Sequence, residues 1–276
     1  MKINVKEINS LPRDKRIKYL RETEKTLINI KKSSDDEADI ISAPYQIISK
    51  VNSKAIKEPG YISPENDSIH VKVVANTSYW IDSQMDMIIP GAVSKSINER
   101  KGLIPFLNSH NRTLDARIAD VTDIYEEEIN LKTLGIDKEG STVALIFEGD
   151  VKKDYNKNIY TQYKNGQINQ HSIGLRYVIL ELALDDPEDE MHYKNWVEFI
   201  SKAINPELAI EMGYFWIVKE YKLIENSAVL FGANEITPTL ETRSEDILSQ
   251  NGAGEPPQKT IEPSKDTLQL INNFKL

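Results

Sequence analysis

The chain has 276 residues, enough to bury a substantial core, and carries a net charge of −9. It has no cysteine, which excludes disulfides, thiol nucleophiles and thiolate zinc sites. The acidic balance argues against a nucleic-acid partner, because phosphate contacts need clustered Lys and Arg. With no signal-like N-terminal run and no stretch of about 18 apolar residues, neither a leader nor a membrane span is expected.

In chain order, residues 1 to about 32 read as one helix, with Ser10 as N-cap and apolar residues at Ile17, Leu20, Leu27 and Ile30. "KKSSDDEAD" is a polar linker, "SAPYQIISKVNS" a short strand, and "KAIKEPGYISPENDS" a loop. "IHVKVVANTSYWI" alternates and is rich in β-branched residues, so it reads as a strand. "MDMIIPGAVSKSINERK" reads as a short strand, a Pro-Gly turn and a helix from about Val93. "GLIPFLNSHN" is strand-like up to His110, and the next two segments, 116–136 and 140–151, read as a hairpin or meander. "KNIYTQYKNGQINQ" carries a helix with Tyr160 and Tyr163 on it, and "HSIGLRYVILELAL" is the following strand.

An acidic break, "DDPEDE", precedes a helix bearing Trp196, Phe199 and Ile200, which "NPELAIEMG" continues. "YFWIVKEYKLIENSAVLFGAN" reads as two strands around a turn, and the Gly- and Pro-rich end reads as a disordered tail. The organisation expected is a helical arm and linker over 1–60, a mixed β-rich α+β domain over 61–242, and a tail over 243–276.

The four histidines show no HExxH spacing and no phosphate-binding Gly-rich loop is present, so no metal and no cofactor is assigned. His110 follows an apolar run, where an imidazole could serve as general base. Glu225 lies inside an apolar strand, a costly place for an acid without a partner. Ser227, two residues on, shares its face and is a rival nucleophile or a supporting hydrogen-bond group. Ser172 stands two residues before Gly174, a residue that allows close backbone approach near an oxyanion. The segment is not a GxSxG elbow, so an α/β-hydrolase has no support.

Four segments in order, "IDSQMDMIIPGAVSKSI", "PFLNSHNRTLDARIADV", "INQHSIGLRY" and "LIENSAVLFGANEITP", together resemble the caudovirus prohead serine protease family of phage capsid maturation enzymes. The resemblance implies Ser172 as nucleophile, His110 as base and Glu225 as the third member, with Asp115 and Asp120 as alternatives for that third place. Gly174 and neighbouring backbone N–H groups would hold the oxyanion. Arg176 would aid them or stay solvated, and Ser227 would support. The implied fold is a β-barrel with surrounding helices, as in herpesvirus assembly proteases.

The implied partners are the major capsid protein and scaffold segments, with self-association allowed, inside the assembling prohead in the host cytoplasm. Self-cleavage is expected within about 240–265. Departures from the family pattern are "DARIADV", which lacks the glycine usual after the His, "FGAN", with Gly for the usual Pro, and an apparent insertion over about 182–213. The competing reading is a non-catalytic capsid-assembly or scaffolding protein that keeps a protease-like barrel.

Overall fold

The computed structural model describes residues 5–33 and 67–244. The expected strand at 42–53, most of the linker and the tail beyond 244 lie outside the described residues. Helices α1 (Val5–Ser10) and α2 (Arg13–Ser33) lead into β1 (Ser68–Thr77), β2 (Asp86–Ile88), α3 (Ser94–Arg100) and β3 (Phe106–Asn108). Then follow β4 (Arg117–Asn130), β5 (Ser141–Lys152), α4 (Lys157–Lys164) and β6 (His171–Leu184). The helices α5 (Glu190–Ile200) and α6 (Glu207–Met212) precede β7 (Tyr214–Ala228) and β8 (Thr239–Ser244).

All eight strands form one mixed sheet. β7 is its spine. One edge pairs antiparallel with β6 along nearly its whole length, and the other pairs parallel with β2 and then with β3. From β3 the sheet continues antiparallel through β4, β5, β1 and β8. The segment expected to form two strands is therefore one 15-residue strand. Its centre, "KEYK", has no Gly, Pro or Asn to turn on, and Tyr221 is buried there while Lys222 is exposed, so strand alternation carries through.

The expected barrel is not found, because the sheet is open between β6 and β8. Side chains bridge the gap instead. The Thr239 N–H donates to Asn169 Oδ1 at 3.0 Å, and Thr239 Oγ1 donates to the Ile168 carbonyl at 2.8 Å. Pro238, just before β8, has no N–H to extend a ladder, which suits this break in pairing.

The N-terminal helix is broken between Ser10 and Arg13, because Pro12 lacks an N–H and disfavours helical geometry at Leu11 before it. Ser10 ends α1 and does not cap α2. Likewise Pro206 starts a separate α6, so α5 does not continue through "NPELAIEMG". Ile17, Leu20 and Leu27 recur at helical spacing on α2 and enter the main core with Leu182, Trp196 and Phe215. Arg16 is buried and gives its guanidinium to four carbonyls, of Ile8, Asn9, Leu11 and Met212. It thereby satisfies orphan acceptors at the ends of α1 and α6. Deeper in, Lys31 of α2 forms a buried ion pair with Asp86 of β2 at 2.5 Å, and Tyr177 of β6 donates to the same carboxylate.

Candidate active site

β3 and β7 run parallel, with Leu107 opposite Ser227 and Asn108 opposite Ala228. The chain then leaves β3 through Ser109 and His110, both in the left-handed region at φ 53° and 59°. That turn swings the His110 ring back over β7. Its Nδ1 lies 2.7 Å from Oε1 of Glu225. The Glu225 side chain is 1% exposed and that of His110 is 42% exposed. A carboxylate can only accept, so Nδ1 carries the proton and Nε2 is left with its lone pair. The other carboxylate oxygen, Oε2, accepts from Ser227 Oγ at 2.7 Å. Ser227 Oγ in turn accepts the backbone N–H of His110 at 3.0 Å.

β6 brings Ser172 to the same place. Ser172 pairs with Ser227, and Gly174 with Glu225. Directly opposed residues share a face, so Ser172, Gly174, Glu225 and Ser227 lie together. Gly174 has a specific reason to be glycine. A Cβ there would stand 2.3 Å from Glu225 Oε1 and 3.0 Å from its Cδ. Arg176 falls on that face too, half-buried.

The backbone register constrains the expected oxyanion donors. The Asn226 N–H donates to Pro105 on the β3 side, and the Val229 N–H donates to Gln170 on the β6 side. By antiparallel alternation, the N–H groups of Ser172 and Gly174 turn toward β7, and that of Ile173 turns toward the free edge of β6.

The two other acids considered lie apart from this network. Asp115 is exposed and accepts from Thr113, while Asp120 binds Arg117 and the Tyr155 hydroxyl.

One feature beside Ser172 was not legible in the sequence. His171 is fully buried, its Nδ1 2.9 Å from the Thr237 carbonyl and its Nε2 2.9 Å from the Tyr163 hydroxyl. The carbonyl can only accept, so Nδ1–H donates and Nε2 accepts from Tyr163. The ring also stacks on Tyr163 and meets Phe106 edge-on. The clamp fixes the start of β6 one residue before Ser172. Burial depresses the His171 pKa to about 4. A depressed pKa means the stability is present above the unfolded value of about 6.5 and is lost as pH falls through 4. The loss is on the order of 3 kcal/mol. In an NMR titration the His171 ring should stay neutral down to about pH 5; titration near 6.5 would show the clamp open.

Among the described residues, no group of three or more His, Cys, Asp or Glu could hold a metal ion, and no helix is long and apolar enough to cross a membrane. No curated protein and no solved structure matches the chain. A family model, that of the caudovirus prohead serine protease, matches residues 68–250, from β1 to just beyond β8. The match takes in all four segments singled out in the sequence and every residue of the hydrogen-bonded cluster, and by it the chain belongs to the caudovirus prohead serine protease family.

Proposed function

We propose that the protein is a serine endopeptidase of head assembly, with Ser172 as nucleophile, His110 as base and Glu225 as the acid that orients it. The family is one of serine peptidases acting in phage capsid maturation within the assembling prohead. What carries the residue-level reading is the 2.7 Å bond from His110 Nδ1 to a buried Glu225, on the face where Ser172 stands. The bond selects the tautomer whose free Nε2 can take a proton.

In this reading Nε2 removes the Ser172 hydroxyl proton as Oγ bonds to the peptide carbonyl carbon. The oxyanion donor in this reading is the Ile173 N–H, which by strand alternation faces away from β7. The C–N bond then breaks as Nε2–H protonates the leaving amine. Water attacks the acyl-enzyme, gives its proton to Nε2, and the serine is restored. The substrates are scaffold or capsid-protein segments, and the chain's own 240–265 region is a further target. Leu114, Leu230 and Phe231, all exposed on the loops that leave β3 and β7, offer apolar contacts for them.

Intact-mass analysis of wild type beside Ser172→Ala, each alone and co-expressed with the major capsid protein, tests this. Wild type should lose a fragment cut within 240–265 while Ser172→Ala keeps full length. If both stay intact and folded in both settings, the chain is a non-catalytic assembly protein with a protease-like fold.

A further inference from the structure

We infer that Ser227 is a positioning residue that locks the backbone of His110 to the carboxylate of Glu225, and that it is not a second nucleophile. The inference rests on the triad reading above and deepens it.

Three hydrogen bonds close a ring. Glu225 Oε1 holds the imidazole, Glu225 Oε2 holds the Ser227 hydroxyl, and that hydroxyl accepts the His110 N–H. The covalent frame of His110 completes the circuit. The Ser227 hydroxyl hydrogen is committed to a carboxylate, and Ser227 is fully buried, so its Oγ cannot meet a peptide carbonyl. Ser172 is partly exposed.

The lock answers a backbone need. Two successive non-glycine residues, Ser109 and His110, are left-handed, at a cost of roughly 1 kcal/mol or more each. Fixed partners hold them there. The Ser109 N–H donates to the Ala228 carbonyl at 3.0 Å, the Asn111 N–H to the Asn108 carbonyl at 3.0 Å, and the His110 N–H to Ser227. Of these anchors only the last is a side chain, and it is the one that touches the acid. Losing it frees the ring from a single orientation and leaves Glu225 Oε2 without its hydroxyl donor.

The test uses the full chain and two readouts. The first is the rate at which a fluorophosphonate labels the nucleophile, followed by intact mass. Wild type should label, Ser172→Ala should not, and Ser227→Ala should label on the order of 10²-fold more slowly, with Ser227→Thr recovering most of the rate. Labelling of Ser172→Ala that disappears in the Ser172→Ala/Ser227→Ala double variant would make Ser227 a nucleophile and overturn the inference. A wild-type rate in folded Ser227→Ala overturns it too.

The second readout does not depend on activity. The His110 Nδ1–H resonance should be visible at low field in wild type and in Ser227→Thr, and lost to exchange in Ser227→Ala. An unchanged resonance in Ser227→Ala overturns the lock even if wild type never labels, an outcome that counts separately against the triad reading. Should Ser227→Ala not fold, Ser227→Cys, with a poor hydrogen-bonding sulfur, replaces it under the same expectations.

Discussion

Gly174→Ala is expected to reduce Ser172 labelling and self-processing by roughly 10³-fold or more while the protein still folds. The added Cβ would overlap the Glu225 carboxylate, 2.3 Å from Oε1. That oxygen is the one that meets His110 Nδ1. Glu225 has no room to retreat, because it is fully buried and its other oxygen holds Ser227. The carboxylate must rotate, and the imidazole loses the partner that sets its tautomer. Overpacking of this kind costs about 1–3 kcal/mol of stability, well under typical totals of about 5–15, so thermal melting should show a lowered but cooperative transition. Full activity in folded Gly174→Ala would mean that Glu225 is not the acid the reaction uses.

The second large effect is on stability. Asp86→Ala should cost about 3–5 kcal/mol, because it strands the Lys31 ammonium, 6% exposed, away from its carboxylate. It also removes the acceptor of the Tyr177 hydroxyl. Lys31 lies over the Tyr177 and Trp216 rings, 5.1 and 5.8 Å from their centroids, so the ammonium would stay in its aromatic cage without the Asp86 carboxylate. Denaturant titration should show the loss, and hydrogen exchange should show it first in α2. The double variant Lys31→Met/Asp86→Leu should recover much of it, since two apolar groups leave no buried charge behind. An Asp86→Ala protein as stable as wild type would mean that α2 is not held by this pair.

The same cluster has a pH signature. Burial first, and then the Asp86 charge, push the Asp82 carboxyl up to about 7. A raised acid stabilises fully below its unfolded value and loses that contribution as pH rises through 7. This slope opposes the one from His171 over much of the same range. Asp82→Asn should remove it, so that stability rises more steeply with pH in a melting-temperature profile between pH 4 and 8.

Local pattern carried much of the fold. Strand-like pattern marked β1 and β4 to β6, helical spacing marked α2, α4 and α5, and Pro90-Gly91 marked the turn before α3. It failed at Pro12 and Pro206, where a proline split a run whose apolar spacing continues on both sides. It also failed at β7, where partly buried charges look like a turn until two short parallel strands and β6 are seen to cover the edges.

By itself, then, the sequence determined the element types, a chain without thiol chemistry, and the residue types and order of Ser172, His110 and Glu225. The element types and the missing thiol follow from composition and short-range period, while His110, Ser172 and Glu225 were singled out by the resemblance of four ordered segments to the family. The tertiary structure alone decided that Glu225 and not Asp115 or Asp120 meets the His110 ring, that Ser227 is buried in the bond network, that the sheet stays open, and that α2 is buried through Lys31. Each of these depends on pairing between residues far apart in the chain, such as His110 with Glu225 and Lys31 with Asp86. The energy of such a pair comes from burial and register, and neither is written in the local pattern.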